Sequence, residues 1–297
     1  MEGFSMAIDK LQNAIRKLKN PSAVMFSLDK RHIPCKILEE NTGIAKAYSR
    51  YAKELLDALK GVVPAVRFGF GSFALQGGEG LNTLTELLTY AKELGFYVLL
   101  DAPEMLSANE ASLAAGAFLN EDNIWAYDGL VISSYIGSDA VKPFADKLKD
   151  TEKDLFLVLR TANRTAPELQ DLLTGSRLVY MVAADMAKRL GEGNVGRCGY
   201  SRIAGVGPAT SADSLRALRS KYTAMFLLVD GYDYTGANAK NCSLAFDKLG
   251  HGALVCAGVS VVGAWMDDNS DSSDPICAAV SAAERMKKNL TRYVTVL

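Results

Sequence analysis

Eight short apolar, β-branched runs recur along the chain, spaced by stretches of helical periodicity. The runs cover residues 23–28, 62–68, 97–101, 129–133, 155–160, 203–207, 224–229 and 253–257. Between them, residues 48–59, 81–94, 109–119, 138–148, 178–190 and 211–219 place apolar side chains about every 3.6 positions. Strands separated by helices pair in parallel, because a parallel connection needs a crossover. The runs are continuously apolar rather than alternating, as expected of strands buried on both faces. Eight such units in 297 residues predict an α/β fold, a closed (β/α)8 TIM barrel. An open doubly wound sheet is the alternative.

Two end segments complete this plan. Phe4, Ile8, Leu11, Ile15 and Leu18 share one face of an extra N-terminal helix. Residues 275–290 form a last helix behind an acidic, serine-rich loop at 267–274. No linker composition interrupts the chain, so residues 1–297 are expected to form a single domain. Apolar residues make up 49% of the chain, enough for a large core, which excludes a disordered chain. The 33 basic and 34 acidic residues leave a net charge of −1, so no bulk positive field draws nucleic acid or an anionic membrane. The longest uncharged run, 252–265, is shorter than a membrane helix requires. Cys35, Cys198, Cys242, Cys256 and Cys277 are scattered, with no metal-type spacing, as in a reducing cytoplasm. The start of the chain lacks the apolar core of a signal peptide. These features predict a cytoplasmic protein with a small-molecule ligand, no nucleic-acid or membrane partner, no metal and no cofactor.

In a barrel, chemistry sits at the C-terminal ends of the strands. That rule selects Asp29, Arg67, Asp101, Ser133, Ser134, Arg160, Thr161, Gly207, Asp230, Asp233 and the turn at 256–258. Asp29, Arg67 and Asp101 come from adjacent strand ends and are expected to converge, as a catalytic cluster or as a structural ion pair. His32 falls on this face and His251 on the opposite one, so no two-histidine site is expected. Gly69-Phe70-Gly71-Ser72-Phe73-Ala74 matches a loose dinucleotide fingerprint. It reads as a flexible barrel loop, with the following helix starting near Glu79. The loop from Gly231 to Gly236 stands where such barrels cradle phosphate. Asp230 and Asp233 place negative charge there.

Several segments together carry a family pattern. They include Ser27-Leu28-Asp29, Val63-Pro64-Ala65-Val66-Arg67, Gly78-Glu79-Gly80-Leu81, Asp101-Ala102, Tyr135-Ile136-Gly137-Ser138-Asp139 and Val158-Leu159-Arg160-Thr161-Ala162-Asn163. Leu169-Gln170-Asp171-Leu172, Gly199-Tyr200-Ser201, Gly231-Tyr232 and Gly252-Ala253-Leu254-Val255 complete the set. In this order and spacing the chain resembles the orotidine 5′-monophosphate decarboxylases, in their longer bacterial form, along nearly its whole length. The resemblance implies a lyase of pyrimidine biosynthesis, a (β/α)8 barrel and a homodimer with active sites at the shared interface. It carries catalytic remnants onto Asp101 and Arg67, and ligand contacts onto Asp29, Thr161, Gly231 and Thr235.

The same resemblance shows where the chain departs. The family's strand-3 motif D-A-K-R-x-D is Asp101-Ala102-Pro103-Glu104-Met105-Leu106 here. Its Lys, which protonates C6 of the pyrimidine, is Pro103; its second Asp, which serves the partner's site, is Leu106. The pyrimidine-reading Ser is Ala162, the phosphate-loop Gln is Thr235 and the phosphate Arg is Val259. The expectation is a divergent member with little or no decarboxylase activity. A decarboxylase with relocated residues, or a barrel enzyme acting on another small molecule, are the alternatives.

Overall fold

This computed structural model of the chain describes residues 6–120, 122–267 and 273–297. Eight parallel strands close on one another: β1 Ser22–Phe26, β2 Ala65–Gly69, β3 Tyr97–Asp101, β4 Gly129–Ser133, β5 Asp154–Val158, β6 Ser201–Pro208, β7 Met225–Asp230 and β8 Ala253–Ala257. Closure is made by β1 and β8, with Ser22 opposite Val255 and Val24 opposite Ala257. The open doubly wound sheet is thereby excluded. All eight predicted runs are strands, shifted by a few residues at their ends. The strands are buried nearly throughout, which explains their unbroken apolar composition.

The helices lie where the periodicity placed them: Ile44–Leu59, Gly77–Glu93, Ala108–Phe118, Ser138–Leu148, Val179–Gly191 and Ala212–Lys221. Helix Ile44–Leu59 shows the logic. Tyr48, Tyr51, Ala52, Leu55, Leu56 and Leu59 form its buried stripe. The last helix, Pro275–Thr291, starts with Pro at its first turn and is capped by Asp274, whose carboxylate accepts from Cys277 N at 2.8 Å.

The extra helix, Ala7–Leu18, closes the N-terminal end of the barrel. Ile8, Leu11 and Ile15 are fully buried. Its buried polar side chains hold the turns that enter the strands: Asp9 Oδ1 accepts from Cys198 N at 2.8 Å, and Gln12 Oε1 accepts from Gly252 N at 3.1 Å. Phe4, and most of the acidic loop expected at 267–274, lie outside the described residues.

Two local readings differ from expectation. The glycine-rich segment after β2 is not a flexible loop: Phe70–Ala74 forms a short helix, and the next begins at Gly77 rather than near Glu79. Phe73 is the reason. Its ring is fully buried against Phe68 and Tyr48, with centroids 6.3 and 5.6 Å away, and that burial fixes the turn. After β5, a hairpin of Leu173–Thr174 with Arg177–Leu178 interrupts a stretch that showed no strand pattern. Two-residue strands are too short to show one. No helix among the described residues is long and apolar enough to cross a membrane.

Candidate active site at the C-terminal strand ends

The register of the sheet aligns Met25, Arg67 and Leu99 in one row and pairs Gly69 with Asp101 one step further out. Arg67 Nε donates to Asp101 Oδ1 at 2.7 Å. On the far side, Nη1 lies 3.1 Å from Asp230 Oδ1. That second contact is off line, and Nη1 has no hydrogen-bond acceptor of good geometry. Asp230 Oδ1 is already taken by Gly231 N at 2.8 Å.

Arg67 is only 5% exposed. Burial works against its charge, but Asp101 and Asp230 outweigh that and hold the guanidinium above its ordinary pKa. Burial raises the Asp101 carboxyl, with Arg67 opposing. Cys256 sits beside this group, fully buried, and burial pushes its thiol up. It is a core residue and not a thiolate nucleophile.

A cavity of about 380 Å³ opens on the cluster. Arg67, Asp101, Asp230, Glu104, Thr161 and Gln170 supply its polar wall, and Pro103, Val131, Ile132, Val158 and Val206 its apolar wall. Pro103 lines the cavity without filling it, and Leu106 points to solvent. Thr161 is held in place by Gln170: its N–H donates to Oε1 at 2.8 Å, and its hydroxyl accepts from Nε2 at 2.9 Å. Arg160, next to it, is committed to a two-pronged pair with Asp171 at 2.7 and 2.8 Å.

The predicted site residues are thus only partly brought together. Arg67, Asp101 and Thr161 share the cavity. Asp29 does not join Arg67, as the strand ends had suggested. It caps the turn Lys30–His32 by accepting from Arg31 N at 2.9 Å and is gripped by the Arg31 guanidinium at 2.5 Å. That side-chain hydrogen bond holds the Asp29 carboxyl down at about 2. Thr235 lines a separate cavity of about 930 Å³ with Tyr234, Thr210, Asn163 and Arg164. His32 is half-buried and burial lowers its pKa, while His251 contacts Leu297 O at 2.7 Å on the opposite face.

Gly231 has a structural task at the lip of the barrel. Its φ is +78°, and a Cβ there would stand 2.3 Å from Ala162 Cβ and 2.9 Å from the Tyr234 ring. Gly231→Ala is expected to cost about 2 kcal/mol or more, from left-handed strain and overlap combined. Urea denaturation would read this as a lowered midpoint at unchanged slope; an unchanged midpoint would refute it.

Sequence reasoning missed the pairing of Asp230 with Arg67 and the place of Glu104 on the cavity wall. It also missed what Asp233 does. Its carboxylate accepts from Gly258 N at 2.5 Å and from Ser260 N at 3.3 Å, crossing from the loop after β7 to the turn after β8. Those amides are the ones a phosphate would use at this end of such a barrel. A carboxylate in the loop Gly231–Gly236 gave no sign of its partner across the mouth.

Closed eight-stranded topology, with a charged cluster and a cavity at the C-terminal strand ends, defines a (β/α)8 barrel protein whose candidate site lies at the end where such barrels carry theirs. No family model matches the chain. It is 26% identical over 289 residues to an orotidine 5′-phosphate decarboxylase from Clostridium novyi, covering 97% of this chain and 99% of that one. A relative of the same name from Rhodopirellula baltica is 29% identical over 216 residues, 71% and 72% of the two chains. Among solved structures, an OMP decarboxylase from Leishmania donovani superposes with a TM-score of 0.71 at 22% identity, covering 96% and 98%. An orotidine 5′-monophosphate decarboxylase from Plasmodium berghei gives 0.75 at 13% identity, covering 96% and 98%. The chain is thus similar, along nearly its whole length, to proteins named orotidine 5′-phosphate decarboxylase, and it shares the fold of the solved OMP decarboxylases.

Proposed function

We propose that this protein is a decarboxylase-family barrel that keeps the fold and the cavity but no longer decarboxylates orotidine monophosphate. The observation that carries the reading is the composition of the cavity wall. Among the described residues Arg67 is the one basic residue lining it, and it lies between Asp101 and Asp230. A guanidinium stays protonated in water and is a poor proton donor. At the position where the resemblance implies a lysine, Pro103 has no ionisable group. A decarboxylase working through relocated residues would need another acid on this wall. Glu104 is the remaining carboxyl there besides the two that pair with Arg67. Steady release of CO₂ from orotidine monophosphate is the test.

Asp233 supports the same reading from the phosphate side. Its carboxylate stands on the amides of Gly258 and Ser260, and Val259 supplies no cation beside them. A nucleoside monophosphate would have to displace that carboxylate and would meet its charge. Uridine monophosphate should therefore bind weakly. Asp233→Gly should raise its affinity by about tenfold, equivalent to one charge-assisted hydrogen bond regained. Calorimetry giving micromolar affinity for the unaltered protein would refute this, as would no gain in the variant.

The protein is further proposed to be a cytoplasmic homodimer. Leu106, Leu113, Ile136, Leu169, Leu172 and Leu173 are all exposed on segments that follow β3, β4 and β5. A run of large apolar side chains on one side of the mouth is what a subunit interface leaves uncovered in a single chain. Sedimentation equilibrium should give twice the chain mass, and Leu113→Asp with Leu169→Asp should give the monomer. A monomeric unaltered protein would refute the dimer.

A further inference from the structure

We propose that the cavity over Arg67 takes a small organic cation rather than an anion, so that its ligand is an amine or amidine and not a carboxylate or phosphate. This deepens the reading of that cavity as the ligand site and rests on it.

Charge on the wall makes the first argument. Three carboxylates, Asp101, Asp230 and Glu104, face the cavity against the single guanidinium of Arg67. Asp101 is matched to Arg67 at 2.7 Å. Asp230 and Glu104 are then left in excess. With Asp101 protonated the wall still carries net negative charge, because Arg67 is then balanced by one of the remaining two. A concave wall of one sign concentrates ligands of the other. An anion entering here would be desolvated against like charge, which is the arrangement that rejects a ligand.

Hydrogen-bond capacity makes the second, independent argument. Arg67 is 5% exposed, and its Nη1 is buried at the cavity wall without an acceptor. That nitrogen has no accessible surface and offers a ligand nothing, so the polar contacts of the cavity fall to the carboxylates. Asp101 engages Arg67 through Oδ1, and Asp230 Oδ1 accepts from Gly231 N and lies 3.1 Å from Arg67 Nη1 without a hydrogen bond. The other oxygen of each carboxylate is available to N–H donors. A ligand with a planar or tetrahedral nitrogen cation satisfies these oxygens. The apolar wall of Pro103, Val131, Ile132, Val158 and Val206 suits a flat hydrocarbon body behind that head.

The test uses three probes of one shape and different charge, namely benzamidine, benzamide and benzoate, titrated into the full chain by calorimetry and ligand-observed NMR. Benzamidine should bind tightest and benzoate weakest, with about tenfold or more between them. Glu104→Gln and Asp230→Asn should each lower benzamidine affinity, and the double variant should bring the three probes within about twofold of one another. Glu104 is exposed, so its replacement leaves the fold intact and keeps the test readable. Benzoate binding as tightly as benzamidine overturns the proposal. So does no binding by any probe, or benzamidine binding unchanged in the double variant. Decarboxylation of orotidine monophosphate would overturn the functional reading and leave the charge order to be judged by this titration alone.

Discussion

Purified protein incubated with orotidine monophosphate is expected to release no CO₂ above the uncatalysed background. Loss of a positioned general acid alone is worth about two to four orders of magnitude. Pro103 removes that acid where the resemblance implies one, and Arg67 cannot replace it. Remote phosphate binding is the second loss. An enzyme of this type draws on such energy at the reacting centre, yet here Asp233 holds the amides of Gly258 and Ser260. Turnover at least about four orders of magnitude below a relative with the lysine is therefore expected. A uracil-requiring strain lacking its decarboxylase should not be rescued. Pro103→Lys alone should not restore function. Recovery would need Leu106→Asp and Val259→Arg as well, since the charged array and the phosphate clamp are separate requirements. Steady turnover by the unaltered chain, or rescue by the single change, would show that the cavity retains an acid not visible in this wall.

The second large effect concerns stability. Arg67→Ala should destabilise the barrel by about 3–5 kcal/mol at neutral pH, the usual result of leaving buried charge uncompensated. Two carboxylates, Asp101 and Asp230, would then face each other with no cation between them. The pH dependence follows from the direction of the Asp101 shift. Burial already raises this carboxyl in the folded state with Arg67 opposing it, so loss of Arg67 raises it further. A carboxyl whose folded pKa lies above its unfolded value favours the folded state when protonated, and that contribution fades as pH rises through the folded pKa. The destabilisation should therefore shrink as pH falls from neutral toward the folded pKa of Asp101. Arg67→Lys keeps the charge but cannot span both partners, and should lose less. Chemical denaturation at neutral and mildly acid pH would measure all of this. Equal losses for Ala and Lys, or a loss that does not change with pH, would refute the electrostatic account and leave only packing.

The architecture was legible in the chain because it depends on short-range pattern. Runs such as 97–101 and 129–133 are apolar at every position because both faces of a barrel strand are covered, and helix 44–59 announces itself by its single stripe. Eight repeats of that unit leave little choice of topology. The site was legible only in part. Position at a strand end is a local property, and it selected Arg67, Asp101, Thr161 and Asp230 correctly as residues of the mouth. The choice of partner was not local.

Arg67 pairs with Asp101 and lies against Asp230 because closure of the barrel gathers the ends of β2, β3 and β7 around one mouth. Asp29 seemed an equal candidate, yet its neighbour Arg31, two residues away, captured it before any strand could. Asp233 and Gly258 meet across 25 positions of sequence because closure of the barrel sets the loops after β7 and β8 side by side. Local pattern in the chain was enough to set a (β/α)8 barrel and the residues at its mouth. Which charges at the mouth neutralise one another was settled by folding. Those pairings depend on the stagger of closed strands, and no window of sequence contains that stagger.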